Sequence, residues 1–385
     1  MAPGMLKRTS IEDFRDIGAL FPIKRRMTYL NNASIAPLSN RVIEGVNEFL
    51  ADVRDNGRKH YPDWCRIADM EIKPKIALLI GADSSEIAFV KNTTEGLNIV
   101  ANGLDWQDGD NVVIADIEYP SNVYPWMNLA RRGVTIKWLK NENGRITPEA
   151  VRSCLDSHTR LVSLSAVQFS NGFRLDLPRV SEICREKDVL LNIDAIQWLG
   201  ALPLDVGQVQ IDFLSAGGHK WLLGPIGTGI FYCRHASLEQ LHPSVVGYHS
   251  VDKSEDHMDY DLTFRRNAGR FEEALVNFPG IWGLDKAVAT IADLGGRRVE
   301  DYITRLLDMA VEGLASKGYV ILSPMGSTER SGILSFQHPS IPPEKLCEHL
   351  AAADVHLSIR GGGVRMSPGI YNDESEIQAM LDALP

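Results

Sequence analysis

Two residues twenty-six positions apart carry the clearest chemistry in this chain. Asp194 ends the apolar run Val189-Leu190-Leu191-Asn192-Ile193, and Lys220 follows Phe213-Leu214-Ser215-Ala216-Gly217-Gly218-His219. Gln197 stands three residues after the acid, and Gly224, Pro225, Gly227 and Gly229 follow the lysine. An acid and an amine at the ends of two strands can converge on one ligand when those ends share an edge of a sheet. A lysine among apolar and glycine-rich neighbours loses water, and desolvation lowers its pKa toward the neutral amine that a carbonyl-attacking nucleophile needs. Taken singly, each has a plainer reading, with Asp194 capping a helix and Lys220 solvated at the surface. A third feature is Asn92-Thr93-Thr94-Glu95, where an Asn followed three residues later by a Glu resembles a capping box. The helix it opens would offer Thr93 and Thr94, free amides and a positive dipole end to an anion.

Alternating strand and helix patterns surround these residues. Apolar runs at Ile87 to Val90, Asn111 to Ala115, Thr135 to Leu139, Leu161 to Ser165, Leu190 to Ile193, Phe213 to Ser215 and Ile230 to Cys233 read as strands. Helices are expected over Glu95 to Asn102, Val123 to Arg131 and Arg179 to Lys187 between them. This alternation predicts an α/β fold, a mostly parallel sheet covered by helices on both faces. After about residue 280 the pattern changes to long helices, Gly283 to Leu294 and Val299 to Ser316, broken at Gly295-Gly296. Strands at Tyr319 to Leu322 and Ile333 to Gln337 and a final helix from Glu374 to Leu384 follow. The expected division is a large domain over 20–285 and a smaller α+β domain from 286–385 joined by 1–19.

The stretch from Asp194-Ala195-Ile196-Gln197 to Ser215-Ala216-Gly217-Gly218-His219-Lys220-Trp221 resembles the class V aminotransferase family, which includes cysteine desulfurases, kynureninases and isopenicillin-epimerase-like enzymes. The resemblance runs from Tyr29-Leu30-Asn31-Asn32-Ala33 through Lys91 to Gly96 and Glu118-Tyr119-Pro120-Ser121-Asn122 to Arg365-Met366-Ser367-Pro368. It implies fold type I, a homodimer with active sites near the interface, and pyridoxal 5′-phosphate (PLP) carried on Lys220. Asp194 would face the ring nitrogen and keep it protonated, so that the ring accepts electrons from a substrate carbanion. Gln197 would hydrogen-bond the phenolic oxygen, with Gln168 as a second candidate. Thr93, Thr94 and His219 would sit at the phosphate. Tyr119 takes the place where desulfurases stack a histidine on the ring; it can stack too, but shuttles a proton less readily near neutral pH. Arg365 matches the arginine that receives the substrate carboxylate, and Arg360 and Asn32 are further substrate-binding candidates.

The implied activity is a reaction of an amino acid through its α-carbanion, with transamination as the leading expectation. A cysteine, C–S or kynureninase-like lyase, or an epimerase, is the alternative, and a cofactor-free binding protein is a remoter one. Desulfurases carry a nucleophilic cysteine on a loop shortly before the carboxylate-binding arginine. Here Gly361-Gly362-Gly363-Val364 fills that interval, and Cys347 lies upstream in a helical pattern. Gly217 replaces a serine frequent three residues before the lysine, and Leu275 falls where a threonine would reach a phosphate across the dimer.

Composition narrows the remaining classes. The chain has 385 residues, 44% of them apolar, which argues against disorder and for a large buried core. Forty Lys plus Arg against fifty Asp plus Glu give a formal net charge of −10, unsuited to a nucleic-acid or anionic-membrane partner. No apolar stretch approaches the roughly 18 residues of a spanning helix, and Met1 to Arg8 lacks the apolar core of a secretion signal. Five scattered cysteines without a C-x-x-C read as reduced thiols in a cytoplasmic protein. His242, His249 and His257 show no metal-ligand spacing, so no metal is expected.

Overall fold

A computed structural model describes residues 14–385 apart from 254, 256, 257 and 259, so the N-terminal octapeptide and His257 lie outside the described residues. Strand β1 (Thr28–Tyr29) precedes seven strands that build one central sheet. These are β2 (Ile87–Val90), β3 (Asn111–Ala115), β4 (Thr135–Leu139), β5 (Thr159–Ser165), β6 (Leu190–Asp194), β7 (Phe213–Gly217) and β8 (Gly229–Cys233). Their order is β2-β8-β7-β6-β5-β3-β4, and β8 alone runs against its neighbours. Alternation along each strand sorts side chains into two cores. Val113, Val162, Leu191 and Leu214 enter one, while Val112, Leu161, Leu190 and Phe213 enter the other. Burial on both faces is what a covered parallel sheet demands, and it explains the unbroken apolar runs in the sequence.

A second sheet, of β9 (Val320–Ile321), β10 (Leu334–Gln337), β12 (Ser358–Arg360) and β13 (Gly363–Met366), is antiparallel in the order β12-β13-β10-β9. Strand β11 (Val355–His356) pairs in parallel with β1. The backbone of 28–32 then continues along this side, Leu30 N–H donating to His356 O at 3.1 Å and Asn32 N–H to Ser367 O at 2.9 Å. Four residues on, Ala36 N–H donates to His219 O at 2.8 Å. One short N-terminal segment therefore ties the second sheet to the turn that carries Lys220.

Local chemistry departs from the sequence expectation in places. The helix expected over Val123 to Arg131 is two shorter turns, Tyr124–Met127 and the 3₁₀ segment Asn128–Arg132, with Pro125 at the start and Gly133 (φ 75°) ending it. The strand at Tyr319 to Leu322 shrinks to Val320–Ile321. Helices over Asn40–Asn56, Tyr61–Ile67 and Lys73–Ile80 occupy a stretch that alternation of strand and helix did not mark. The first packs on Phe278–Leu294 so closely that a Cβ at Gly45 would lie 2.8 Å from Trp282 O.

Gly200, in the turn after β6, has φ 99°, and a Cβ there would lie 2.1 Å from Trp221 O and 2.5 Å from Trp221 C. That backbone belongs to the residue after Lys220 and cannot retreat without moving the lysine. Gly200→Ala should therefore lose about 2 kcal/mol or more in urea unfolding and weaken cofactor retention together. A variant with unchanged unfolding midpoint and retention would contradict this account of the turn.

Candidate active site

Six parallel strands send their carboxyl ends to one edge, where the following loops gather. From there Thr93 and Thr94 follow β2, Tyr119 and Ser121 follow β3, Phe169 follows β5, Asp194 and Gln197 come from β6 and its turn, and His219 and Lys220 follow β7. Antiparallel β8 brings its own amino end, with Ile226 and Gly227, to the same edge. These residues line a cavity of about 540 Å³, closed on the other side by Ala33, Ser34, Arg360 and Arg365. Of the residues singled out in the sequence, Asp194, Gln197, Lys220, Thr93, Thr94, His219, Tyr119, Arg365 and Arg360 line it. Gln168 and Asn32 are buried behind that lining.

Burial sets the electrostatics. It pushes the Lys220 amine down to about 8, with opposing help from Asp194 and a smaller repulsion from Arg365 and Arg360. It also pushes the Asp194 carboxyl above its ordinary range, against a 3.0 Å hydrogen bond from Ile196 N–H to Oδ1. The Lys220 Nζ lies 5.7 Å from the centroid of the Tyr119 ring, which meets Phe169 edge-on at 5.1 Å. Leu223, buried three residues after the lysine, has φ 58°, an unusual conformation for a bulky residue, and its N–H donates to Lys220 O at 3.1 Å.

At the opposite end, the helix Thr93–Gly103 points its amino terminus at the cavity. Asn92 Oδ1 accepts from Glu95 N–H at 2.9 Å, which leaves the amides of Thr93 and Thr94 without an acceptor inside the helix. The Thr93 hydroxyl accepts from Gly217 N–H at 2.9 Å and so locks this helix start to the end of β7. Thr94 donates to Ser121 at 2.8 Å. A Cβ on Gly217 would lie 3.0 Å from the His219 ring, so the absence of a side chain there makes room for the imidazole.

Arg365 is 1% exposed, yet burial and the Arg360 charge only lower its pKa to about 10, so it stays a cation. Its Nη1 donates to Phe169 O at 2.7 Å and Nη2 to Ser34 Oγ at 2.8 Å. Arg360 is exposed, in register with Gly363, with Gly361 (φ 56°) and Gly362 (φ 81°) forming the two-residue turn between β12 and β13. Gln197 is held by Ala33 O at 3.0 Å and by Trp221 Nε1 at 2.8 Å. Gln168 Nε2 donates to Glu118 at 3.0 Å. Ser34, Ser121, Phe169 and Glu118 were not singled out in the sequence. Glu118 and Ser121 carried a signal, as members of the motif around Tyr119.

The lining fits PLP. A helix amino terminus with free amides suits a phosphate. The buried Asp194 carboxylate has a backbone donor but no bonded cation, which a protonated ring nitrogen would supply. His219 Nδ1 is buried and unpartnered. A lysine whose pKa burial lowers to about 8 suits the aldehyde, and the volume lies in the usual range of ligand sites.

The family model "Aminotransferase class-V" matches residues 28–380. A probable cysteine desulfurase of Methanothermobacter thermautotrophicus is 31% identical over 96% of each chain. The apo structure of a cysteine desulfurase from Thermococcus onnurineus NA1 superposes with a TM-score of 0.87, at 24% identity over 99% of this chain and 98% of that one. The cystine C–S lyase C-DES matches at 24% identity, both with glycine covalently linked to its PLP cofactor (TM-score 0.86, 94% and 97% covered) and with cysteine persulfide (0.85, 94% and 98%). The family match across nearly the whole chain and the fitted lining lead to one conclusion: this chain is a PLP-dependent enzyme of the class V aminotransferase family.

Proposed function

We propose that the chain is a lyase that breaks the Cβ–S bond of a cysteine-like amino acid by elimination, with no cysteine of its own in the reaction. The observation that carries this is the two-residue turn at Gly361-Gly362, which joins Arg360 to the strand of Arg365 and leaves no loop for an attacking thiol. None of the five cysteines lines the cavity. Burial pushes Cys184 up to about 12, and Cys347, within the helix Pro343–Ala351, is also raised. A thiolate must form and come within about 3–3.5 Å of the sulfur it attacks. Relatives named for desulfurase and C–S lyase activities favour this reading over the aminotransferase reading.

When bound, PLP supplies an electron sink for the pair left at the substrate α-carbon. Arg365, a buried planar fork, would orient the α-carboxylate. Lys220 Nζ, its pKa lowered by burial to about 8, would take the α-proton in its neutral form. Asp194 would hold the proton on the ring nitrogen, and the Thr93 and Thr94 amides with His219 would hold the phosphate. Gln197 and Tyr119 would flank the ring, and Arg360 would complete the substrate side, whereas Asn32 lies buried behind the lining. With cysteine and water the products are pyruvate, hydrogen sulfide and ammonia. A homodimer belongs to this reading, since Ile226 at the cavity mouth, Tyr124 and Leu275 are each about two-thirds exposed, an apolar surface that a second copy would cover. A cytoplasmic setting is supported by free thiols and by the lack, among the described residues, of a helix long and apolar enough to cross a membrane.

Three measurements bear on this. Lys220→Ala should abolish turnover and the borohydride-stable attachment of cofactor to the chain; persistence of either on another lysine would refute the assignment. Cofactor loading of the apo-protein should follow the neutral amine, rising as pH passes about 8 and falling below it, because burial disfavours the ammonium. A midpoint at the ordinary lysine value of 10.5 would contradict the desolvated site. A folded variant with all five cysteines replaced should still release sulfide from cysteine with pyruvate and ammonia. Alanine as the product, lost on replacing one cysteine, would restore persulfide chemistry.

A further inference from the structure

On the sheet face that bears Asp194, buried polar side chains run behind the cavity without reaching it. Paired residues of parallel strands share a face, so Ser165 opposite Asp194 and Ser163 opposite Asn192 lie on that side. Asn192 Nδ2 donates to Ser163 Oγ at 2.9 Å, Ser163 Oγ to Asn122 Oδ1 at 2.6 Å, and Asn122 Nδ2 to Glu118 Oε2 at 3.0 Å. Ser165 gives Glu118 two more donors, its N–H at 2.8 Å to Oε1 and its hydroxyl to Oε2, and Gln168 Nε2 gives a fourth at 3.0 Å. All six residues are buried, and Glu118 does not line the cavity.

Four donors converging on one carboxylate favour its charged form against burial, which raises its pKa, and Glu118 makes no ion pair with a cation among the described residues. A buried charge left without a countercharge is costly, so a cation is missing from this picture. The charged group that faces it is Asp194 from β6, which in turn feels Lys220 from the turn after β7. We propose that Glu118 is a positioning residue for the cofactor, a second buried carboxylate that acts through Asp194 to favour the protonated ring nitrogen. The one positive charge on the ring is then shared by two acids on one sheet face. Burial and this neighbour raise the Asp194 carboxyl in concert, which agrees with a pair built for a shared cation. A purely structural role, with Glu118 anchoring the loop of Tyr119 to β5, makes a different prediction.

The test compares the affinities of the apo-protein for PLP and for its deaza analogue, in which carbon replaces the ring nitrogen. Because these are binding equilibria, the outcome does not depend on which reaction follows. Glu118→Gln removes the charge at nearly constant shape. The unpartnered Gln168 Oε1 can turn to accept from the new amide. The preference for PLP over the analogue should fall about tenfold, the analogue's own affinity changing little. Equal weakening of both ligands, or an unchanged preference, would overturn the proposal. If that variant does not fold, Ser165→Ala removes one donor and keeps the carboxylate. Its preference should drop as pH is lowered and recover as pH is raised, as the carboxyl loses and regains its charge. A wild-type preference at every pH in the folded Ser165→Ala protein would equally refute it.

Discussion

An amine and a carboxylate kept out of water at the ends of adjacent strands, Lys220 and Asp194, make the demand to which the rest of the structure answers. Neither group is comfortable there, since burial drives the amine toward neutrality and the carboxyl toward protonation. In the proposed reading, a cofactor aldehyde would take the one and a ring cation would face the other. The sheet supplies rigidity for this arrangement, because Asp194 belongs to β6 and Lys220 follows β7 by three residues, and the two strands are hydrogen-bonded neighbours. Rigid preorganisation of this kind spares the site the cost of ordering its groups when ligand arrives.

Close backbone contacts, more than side-chain contacts, hold the lysine turn. Gly200 lies against Trp221, Ala36 N–H bonds His219 O, and Gly217 N–H bonds the Thr93 hydroxyl. Three separate segments thus meet on five consecutive residues, 217–221. The first of them, 28–36, also pairs with β11 and with Ser367, so the Arg365 wall and the Lys220 turn are joined through one strand. Arg365 in turn bonds Phe169 O, on the loop after β5. Through these contacts the two sides of the cavity form one framework.

The same framework bears on selectivity. A turn of only two glycines between β12 and β13 keeps Arg360 beside the cavity and fills the interval with nothing reactive. The proposed elimination asks for a base, a carboxylate clamp and an electron sink, roles that Lys220, Arg365 and bound PLP would fill, and for no thiol. Behind the floor, Glu118 and its four donors form a buried polar layer next to an otherwise apolar core, and such layers persist where charge has work to do.

The sequence by itself determined the α/β class, the strand runs and the ordered motifs from Tyr29 to Pro368. Apolar alternation, capping residues and glycine placement are local properties with a direct physical reading. It also determined that Asn92 caps a helix and that no cysteine stands in the short interval before Arg365. Only the tertiary structure decided which of the motif residues reach the cavity. Gln168 and Asn32 stand in the right motifs yet are buried behind its lining, because strand register and loop path, set by contacts distant in sequence, aim their side chains elsewhere. The pairing of Ser165 with Asp194, which brings Glu118 to the acid's face of the sheet, is likewise invisible in one dimension. It follows from a β5–β6 register between segments some thirty residues apart, fixed by packing and not by any local signal.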